Sequence, residues 1–198
     1  FAKSLSLVLN KPFIGINHIE AHLHSPLLEH PDFPFPALGL VVSGGHTHLY
    51  QIHQKGEYQL LGHTVDDAAG EAFDKVGKVM GLPFPGGPEI DKLAKTGVAN
   101  SFDFSFPQVK DNLLNVSFSG LKTASLQHWK ALNASEQILR KADLAASFQN
   151  MAVKILARMI ERAIDASGIK NILLSGGVAC NSELRSQLNH MKISHGIN

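Results

Sequence analysis

The sequence is poor in cysteine, in net charge and in long apolar runs. Its 198 residues contain one cysteine, so no disulfide can form within the chain, which fits a reducing compartment and predicts a cytoplasmic protein. No apolar run approaches the roughly 20 residues of a membrane-spanning helix, so no membrane partner is expected. The formal net charge of +1 gives no overall attraction to nucleic acid and leaves only local basic patches to supply it.

The two ends of the chain also lack familiar features. The first residues, FAKSLSLVLNKPF, contain no methionine. They also lack the order of a secretion signal, in which a charged region is followed by an apolar region and then by small residues. The last residues, HMKISHGIN, do not close a helix in a recognisable way. We therefore expect a piece of a longer protein.

Buried strands, glycine loops and amphipathic helices follow one another along the chain. The apolar run ALGLVV ends in glycines, which is typical of a buried strand entering a tight loop. Apolar residues recur at helical spacing over 143–166, which predicts a long amphipathic helix with an apolar core face. Lys154, Arg158 and Arg162 on its other side are interpreted as a solvated face. This order of elements predicts an α/β protein.

Two segments share one design, a buried strand followed by Ser-Gly-Gly. They are VVSGGHTH (41–48) and LLSGGVACN (173–181). Glycine lets the backbone approach a phosphate closely, and exposed N–H groups can hold its oxygens. One such loop is usually only a turn, but two alike loops in one α/β chain predict opposite walls of a nucleotide cleft. The glycines expected to line it are Gly44, Gly45, Gly176 and Gly177.

A pair of histidines lies in the segment NHIEAH. His18 and His22 are four residues apart after Asn17, a plausible helix N-cap, so both imidazoles would face the same way. Two histidines do not complete a metal site, because catalytic zinc or iron usually has at least three protein ligands. The order is not H-E-x-x-H, so the motif does not support a zinc peptidase. Glu20 and His46 are candidate bases by position alone.

Three further segments carry polar residues beside glycines. GEAFDKVGK places Asp74 on a helix, where its carboxylate can hold a ribose hydroxyl. PFPGGPEID predicts a tight turn with Asp91 one helical turn beyond it. SFSGLKTA predicts a helix start with Lys122 in its first turn, which would attract an anion. Cys180 has no identifiable base, so we do not expect it to be a nucleophile.

Six motifs occur in one order along the chain. They are NHIEAH, VVSGGHTHL, GEAFDKVGKVMGLPFPGGPEID, SFSGLKTA, DLAASFQ and LLSGGVACNSELR. Together they resemble the tRNA N6-adenosine threonylcarbamoyltransferase family, formerly labelled O-sialoglycoprotein endopeptidase, in its bacterial and organellar branch. The resemblance extends from about residue 11 to residue 190, which is nearly the whole chain.

The resemblance implies a fold and an activity. The fold is the actin-like, sugar-kinase-like ATPase fold, in which two RNase H-like lobes enclose a nucleotide cleft. Residues 1–36 would be a remnant of the first lobe with the metal-binding helix, and residues 37–198 the second lobe, incomplete at its C-terminal end. The activity is transfer of threonylcarbamoyl from threonylcarbamoyl-AMP to N6 of adenosine 37 in tRNAs that read codons beginning with A. The isolated piece is expected to be inactive.

The resemblance also implies site residues. His18 and His22 would bind one divalent metal, iron or zinc, with an aspartate from a TDN-like segment beyond Asn198 as a further ligand. The segment Val41, Val42, Ser43, Gly44 and Gly45 would bind substrate. ATP or threonylcarbamoyl-AMP would also contact Asp74, Gly87, Asp91 and Asn181.

The resemblance also implies partners, and other functions remain as alternatives. The family acts on tRNA together with a paralogous actin-like subunit and a small ATPase in bacteria. The near-neutral charge predicts that tRNA recognition is not contained in this chain alone. The alternatives are a metallopeptidase, or a non-catalytic paralogous scaffold, which would be expected to lack the histidine pair. A sugar kinase or acetate-kinase-like enzyme shares the fold class but does not explain HIEAH.

Overall fold

A computed structural model describes residues 1–198 as seven α-helices around a four-stranded sheet. The helices are α1 (Ala2–Leu9), α2 (His18–His24), α3 (Ala69–Val79), α4 (Gly86–Ala94), α5 (Ser119–Ala131), α6 (Ala134–Ser167) and α7 (Ser182–His195). The strands are β1 (Ala37–Val42), β2 (Thr47–Gln54), β3 (Glu57–His63) and β4 (Ile172–Ser175). Short 3₁₀ helices, Ser25–Leu28 and Gly177–Cys180, follow α2 and β4. No helix combines the length and the apolar content that crossing a bilayer requires.

The sheet has the strand order β3-β2-β1-β4. Strands β1, β2 and β3 form an antiparallel meander, whereas β4 pairs parallel to β1 with Val41 opposite Ser175. Parallel neighbours end at the same edge of a sheet, where ligands of α/β proteins commonly bind. The two Ser-Gly-Gly loops, one after β1 and one after β4, therefore lie side by side.

The main core lies between one face of the sheet and helices α3 to α7. It contains 32 buried hydrophobic residues, and the rings of Phe73 and Phe148 meet edge to face with centroids 5.0 Å apart. Helix α6 crosses this core, and 15 of its 34 residues are buried. It begins at Ala134 rather than at the predicted residue 143, because Asn133 and Glu136 form a capping box that starts the helix earlier.

The other face of the sheet carries a smaller core beneath α2. Six buried residues form it: Leu23, Leu27, Ala37, Val41, Ile52 and Leu173. The predicted N-cap of α2 is confirmed, since the Asn17 side chain accepts from the backbone N of Ile19 at 2.9 Å and of Glu20 at 3.2 Å. The helix changes to 3₁₀ geometry at Ser25, one residue before Pro26. Helix α1 buries no side chain.

Two consecutive aspartates connect α3 to α5. Asp66 accepts hydrogen bonds from the backbone N of Phe118 at 2.8 Å and of Ser119 at 3.2 Å. The start of α5, expected from the sequence to attract an anion, is thus bound by a carboxylate of the chain itself. Asp67 accepts from Lys122 at 2.5 Å and from Lys75 at 2.8 Å. Lys122 is therefore engaged in holding the two helices together.

These lysines set the charge state of Asp67. Burial by itself would raise the pKa of Asp67, but the hydrogen bonds from Lys122 and Lys75 outweigh it and lower the pKa below its usual range. A carboxyl whose pKa is lower in the folded than in the unfolded protein stabilises the fold above the unfolded-state pKa, about 3.9 for aspartate. That contribution is lost as the pH falls through the folded-state pKa.

We expect Asp67→Asn to lower the free energy of unfolding at pH 7 by roughly 1–3 kcal/mol, because two charged hydrogen bonds lose their carboxylate. The deficit relative to wild type should shrink as the pH falls below about 4. Denaturant titration at several pH values measures both effects. Asp32→Asn, at an exposed aspartate, is the control and should change stability little at any pH. A deficit that stays constant with pH would contradict this role of Asp67.

Candidate functional site

A cavity of about 440 Å³ opens between the two glycine loops, α3 and α4. It contains six of the residues expected to bind nucleotide: Gly44, Asp74, Gly87, Asp91, Gly177 and Asn181. These residues lie on four separate parts of the chain and converge only in the folded protein. The remainder of the wall includes Gly70, Phe73, Lys92, Lys95 and Cys180.

Each of the two aspartates of the cavity uses one carboxylate oxygen for hydrogen bonds within the chain. Asp74 Oδ1 accepts from the backbone N of Gly86 at 2.7 Å, which fixes the turn before α4. Asp91 Oδ1 accepts from the backbone N of Ser182 at 3.2 Å and from its hydroxyl at 2.7 Å, at the start of α7. The Oδ2 atom of each aspartate makes no hydrogen bond within the chain. One acceptor per carboxylate therefore remains for a ligand hydroxyl or amine.

Asn181 joins the second glycine loop to α7. Its Oδ1 accepts from the backbone N of Leu184 at 3.0 Å as the N-cap of α7, and its Nδ2 donates to Gln149 at 2.8 Å. The residue is only 8% exposed. Hydrogen bonds on both ends of the amide fix its orientation at the cavity wall.

The glycines around the cavity divide into open and tight positions. A Cβ added at Gly44, Gly45 or Gly177 would meet no atom within 4 Å. A Cβ at Gly176 would lie 2.2 Å from the carbonyl oxygen of Val42, and Gly176 has a φ of +94°, which side chains rarely adopt. Space beside the backbone at Gly44 and Gly177 thus belongs to the cavity, whereas Gly176 is required by the turn itself.

The other residues of the predicted substrate segment 41–45 do not line the cavity. Val41 and Val42 are fully buried in β1 and face opposite sides of the sheet. Ser43 Oγ accepts from the backbone N of His46 at 3.1 Å and of Gly45 at 3.4 Å, so it shapes the loop. Gly45 lies in the same loop outside the cavity lining.

Five histidines form a row beside the first glycine loop. Ring centroids are 4.6 Å apart for His22 and His18, 5.6 Å for His18 and His46, 5.4 Å for His46 and His48, and 6.2 Å for His48 and His63. The row joins α2 to strands β2 and β3. The fold therefore brings the predicted histidine pair on α2 next to His46. The sequence alone could not establish this contact.

Two histidines of the row, His22 and His48, have a lowered pKa that favours the neutral imidazole. Burial lowers the pKa of His22, and the neighbouring His18 and His46 lower it further. Burial likewise lowers the pKa of His48, with added repulsion from His46 and His63. Neutral imidazole is the form that binds a metal.

His18 and His22 offer a metal two donors. Neither ring makes a hydrogen bond to another residue, so their nitrogens are free to coordinate, and His18 is exposed. No group of three histidine, cysteine or acidic side chains in the chain is arranged to hold a metal ion. The donor set fits part of a transition-metal site, and at least one more ligand is needed to complete it.

The two candidate bases occupy different surroundings. Glu20 accepts a hydrogen bond from the Tyr58 hydroxyl at 3.4 Å, and Tyr58 is also bonded to His24. His46 lies between His18 and His48 in the histidine row. The geometry therefore places the His46 ring next to His18, whereas the Glu20 carboxylate is engaged by Tyr58.

Sequence reasoning missed Lys92, Lys95 and His63. Lys95 follows Asp91 by four residues at the C-cap of α4, and this helical spacing could have placed it at the same cavity. His63 reaches the row only because β3 pairs with β2 and sets it opposite His48. No local sequence pattern connects these two histidines.

Comparison with known proteins identifies the family to which the chain is similar. A family model described as TsaD, tRNA N6-adenosine threonylcarbamoyltransferase, matches residues 1–198. Enzymes of that name from Protochlamydia amoebophila (strain UWE25) and Geobacter sp. (strain M21) are 49% and 48% identical to it, each over 99% of this chain. The chain spans 61% and 57% of the lengths of these two relatives.

Solved structures show the fold. HypF from T. kodakarensis superposes with a TM-score of 0.70 at 14% identity, over 98% of this chain and 34% of that one. Component A of (R)-2-hydroxyglutaryl-CoA dehydratase from Acidaminococcus fermentans superposes with a TM-score of 0.52 at 14% identity, over 92% of this chain and 60% of that one. The predicted actin-like ATPase fold is confirmed by this likeness. By its family match and its relatives, the chain belongs to the tRNA N6-adenosine threonylcarbamoyltransferase family.

Proposed function

We propose that this chain provides the nucleotide-binding lobe of an enzyme that transfers threonylcarbamoyl from threonylcarbamoyl-AMP to N6 of adenosine 37 in tRNAs that read codons beginning with A. The observation that carries the proposal is the single cavity in which both glycine loops meet Asp74, Asp91 and Asn181. Because the chain spans about three fifths of its relatives, the activity is proposed for the protein at its natural length. Under this proposal residues 1–36 belong to the first lobe and residues 37–198 to the second.

The cavity is proposed to hold the AMP portion of the substrate, or ATP. The open positions at Gly44 and Gly177 leave room for phosphate oxygens to approach the backbone. The free oxygens of Asp74 and Asp91 can accept hydrogen bonds from ribose hydroxyls or from an exocyclic amine. Lys92 and Lys95 on the cavity wall add positive charge for a phosphate. A volume of about 440 Å³ is in the range of small-molecule sites.

The reaction exchanges one bond for another at the carbamoyl carbon. N6 of adenosine forms a C–N bond to that carbon, the C–O bond to the AMP phosphate breaks, and N6 releases one proton. AMP is a good leaving group because the donor is a mixed carbamoyl–phosphate anhydride. We assign the proton to His46, whose imidazole lies next to the His18 and His22 pair.

His18 and His22 are proposed to hold one divalent metal, iron or zinc, with a further ligand from outside residues 1–198. When bound, such an ion supplies Lewis-acid polarisation of a carbonyl oxygen. The protein would present two imidazoles without hydrogen-bond partners on one side of α2. The Asn17 cap fixes the start of this helix.

The partners proposed for this protein are tRNA, a paralogous actin-like subunit and a small ATPase, and its location is the cytoplasm. The family match supports tRNA as the substrate. No observation favours the metallopeptidase, because the histidines do not form an H-E-x-x-H helix with a glutamate directed at the metal position. Glu20 instead contacts Tyr58.

Adjacent glycines give a matched test of the nucleotide site. Gly177→Ala should leave the unfolding midpoint unchanged, since the added methyl meets no protein atom, but should weaken ATP binding roughly tenfold or more, or about 1.4 kcal/mol. Gly176→Ala should instead destabilise the fold by about 1–2 kcal/mol or more, because it forces a left-handed residue against Val42. Calorimetric titration and thermal unfolding distinguish the two. Full ATP affinity in Gly177→Ala would contradict the site.

The metal assignment is tested by composition. In the protein at its natural length, His18→Ala and His22→Ala should each lose most of the bound metal, measured by elemental analysis after purification. His53→Ala removes an exposed histidine of β2 and should retain it. Equal metal content in all three variants would rule out the pair as ligands.

The activity itself is tested with threonylcarbamoyl-AMP and unmodified tRNA. The product, N6-threonylcarbamoyladenosine at position 37, is detected by mass spectrometry of the digested tRNA. His46→Ala should reduce kcat by roughly 10²- to 10⁴-fold, as expected for loss of a general base, with little change in the unfolding midpoint. Glu20→Gln should reduce it far less. Absence of product with the wild-type protein and its partners would refute the proposed function.

A further inference from the structure

A groove outside the nucleotide cavity runs along α6. It consists of two adjoining cavities of about 320 and 420 Å³ that share Phe106, Arg158 and Arg162. One wall is α6 and the other is the segment 106–116. We call this feature the α6 groove. None of the residues that line it lines the nucleotide cavity.

The α6 groove concentrates positive charge. It is lined by Lys110, Lys154, Arg158 and Arg162, against one carboxylate, Glu161. The local excess of three positive charges exceeds the net charge of +1 for the whole chain. Charge on this scale marks a surface for an anionic ligand.

The cations of the α6 groove divide into structural and free ones. Arg162 donates to the carbonyl oxygen of Leu113 at 2.8 Å and so fixes the facing wall. Arg158 pairs with Glu161 at 3.2 Å, with its side chain 55% exposed. Lys110 and Lys154 are exposed and have no partner in the chain. Two lysines from opposite walls are thus available to an anion.

An aromatic side chain lies among these cations. Phe106 is 40% exposed and belongs to both parts of the α6 groove. A solvated helix face explains charges on α6 alone, but it does not explain a lysine and an open phenyl ring on the facing segment. Sites for single-stranded nucleic acid typically combine positive groups along the phosphate backbone with aromatic rings on which the bases stack.

The floor of the α6 groove is connected to the histidine row. Asn115 Oδ1 accepts from the backbone N of His63 at 3.0 Å, and the backbone N of Val116 donates to the His63 carbonyl oxygen at 3.1 Å. His63 is the last member of the row, 6.2 Å from His48. A strand bound in the groove therefore lies against the segment that is hydrogen-bonded to His63.

We propose that the α6 groove binds single-stranded RNA of the tRNA substrate, with Lys110 and Lys154 on phosphates and a base stacked on Phe106. This inference rests on the proposed function and deepens it by assigning part of the tRNA contact to this chain. It revises the interpretation of Lys154, Arg158 and Arg162 as a solvated face only. The groove supplies part of the affinity, and other parts of the assembly supply the remainder.

The test compares tRNA binding by the protein at its natural length across a salt series. Lys110→Gln with Lys154→Gln should weaken binding at about 150 mM salt roughly tenfold and reduce the slope of log K against log salt by about 1.4–1.8, or 0.7–0.9 for each lost phosphate contact. Lys130→Gln with Lys170→Gln makes the same charge change at exposed lysines outside the groove and should preserve both values. Phe106→Ala should weaken binding roughly 5- to 100-fold, whereas Phe106→Trp keeps an aromatic ring and should bind as tightly as wild type.

Each outcome decides between the two proposals. If the wild-type protein modifies and binds tRNA but the groove variants match it in affinity and salt slope, the α6 groove proposal is overturned and the proposed function stands. An acidic protein segment would then be the better occupant. Equal losses in the groove and control variants would also overturn it, because the effect would be one of overall charge. A wild-type protein that neither binds nor modifies tRNA would overturn the proposed function.

Discussion

The parallel pairing of β1 with β4 is the constraint on which the candidate site depends. The two strands are separated by more than 120 residues in sequence, yet Val41 lies opposite Ser175 in the sheet. Burial of Leu38, Leu40 and Val42 against α6 makes this register favourable, since a shift by one residue would turn the buried set to the other face. Because both strands then end at one edge of the sheet, the two glycine loops that follow them lie together and line one cavity.

Several polar residues of the site also hold the fold together, and this double role gives the cavity its shape. Asp74 fixes the turn before α4, Asp91 binds the start of α7, and Asn181 caps that helix while contacting α6 through Gln149. Each of these hydrogen bonds joins elements that a ligand would otherwise have to bring together. A site built in this way needs little rearrangement before it can bind, which lowers the cost of ordering it.

The nucleotide contacts of Gly87 and Asn181 were expected only from the family resemblance. The α/β class, the glycine loops and the α2 cap could be anticipated from local patterns, because each depends on residues close together in the chain. Other features could not. The capping box at Asn133 extends α6 beyond its apolar stripe, and an aspartate of the chain itself occupies the start of α5 where an external anion was expected. Gly176 looked equivalent to Gly177, but only the packed neighbour Val42 shows that one serves the turn and the other borders open space.

By itself the sequence determined which residue types were available, their helical and strand periods, and the motifs that place the chain in its family, since all of these are read along the chain. The tertiary structure alone decided that His46 meets His18, that the Glu20 carboxylate contacts Tyr58, and that Phe106 and Lys110 face the cations of α6. The reason is physical. Contacts between residues far apart in sequence are set by strand register and core burial, which are properties of the whole packed chain and of no single segment.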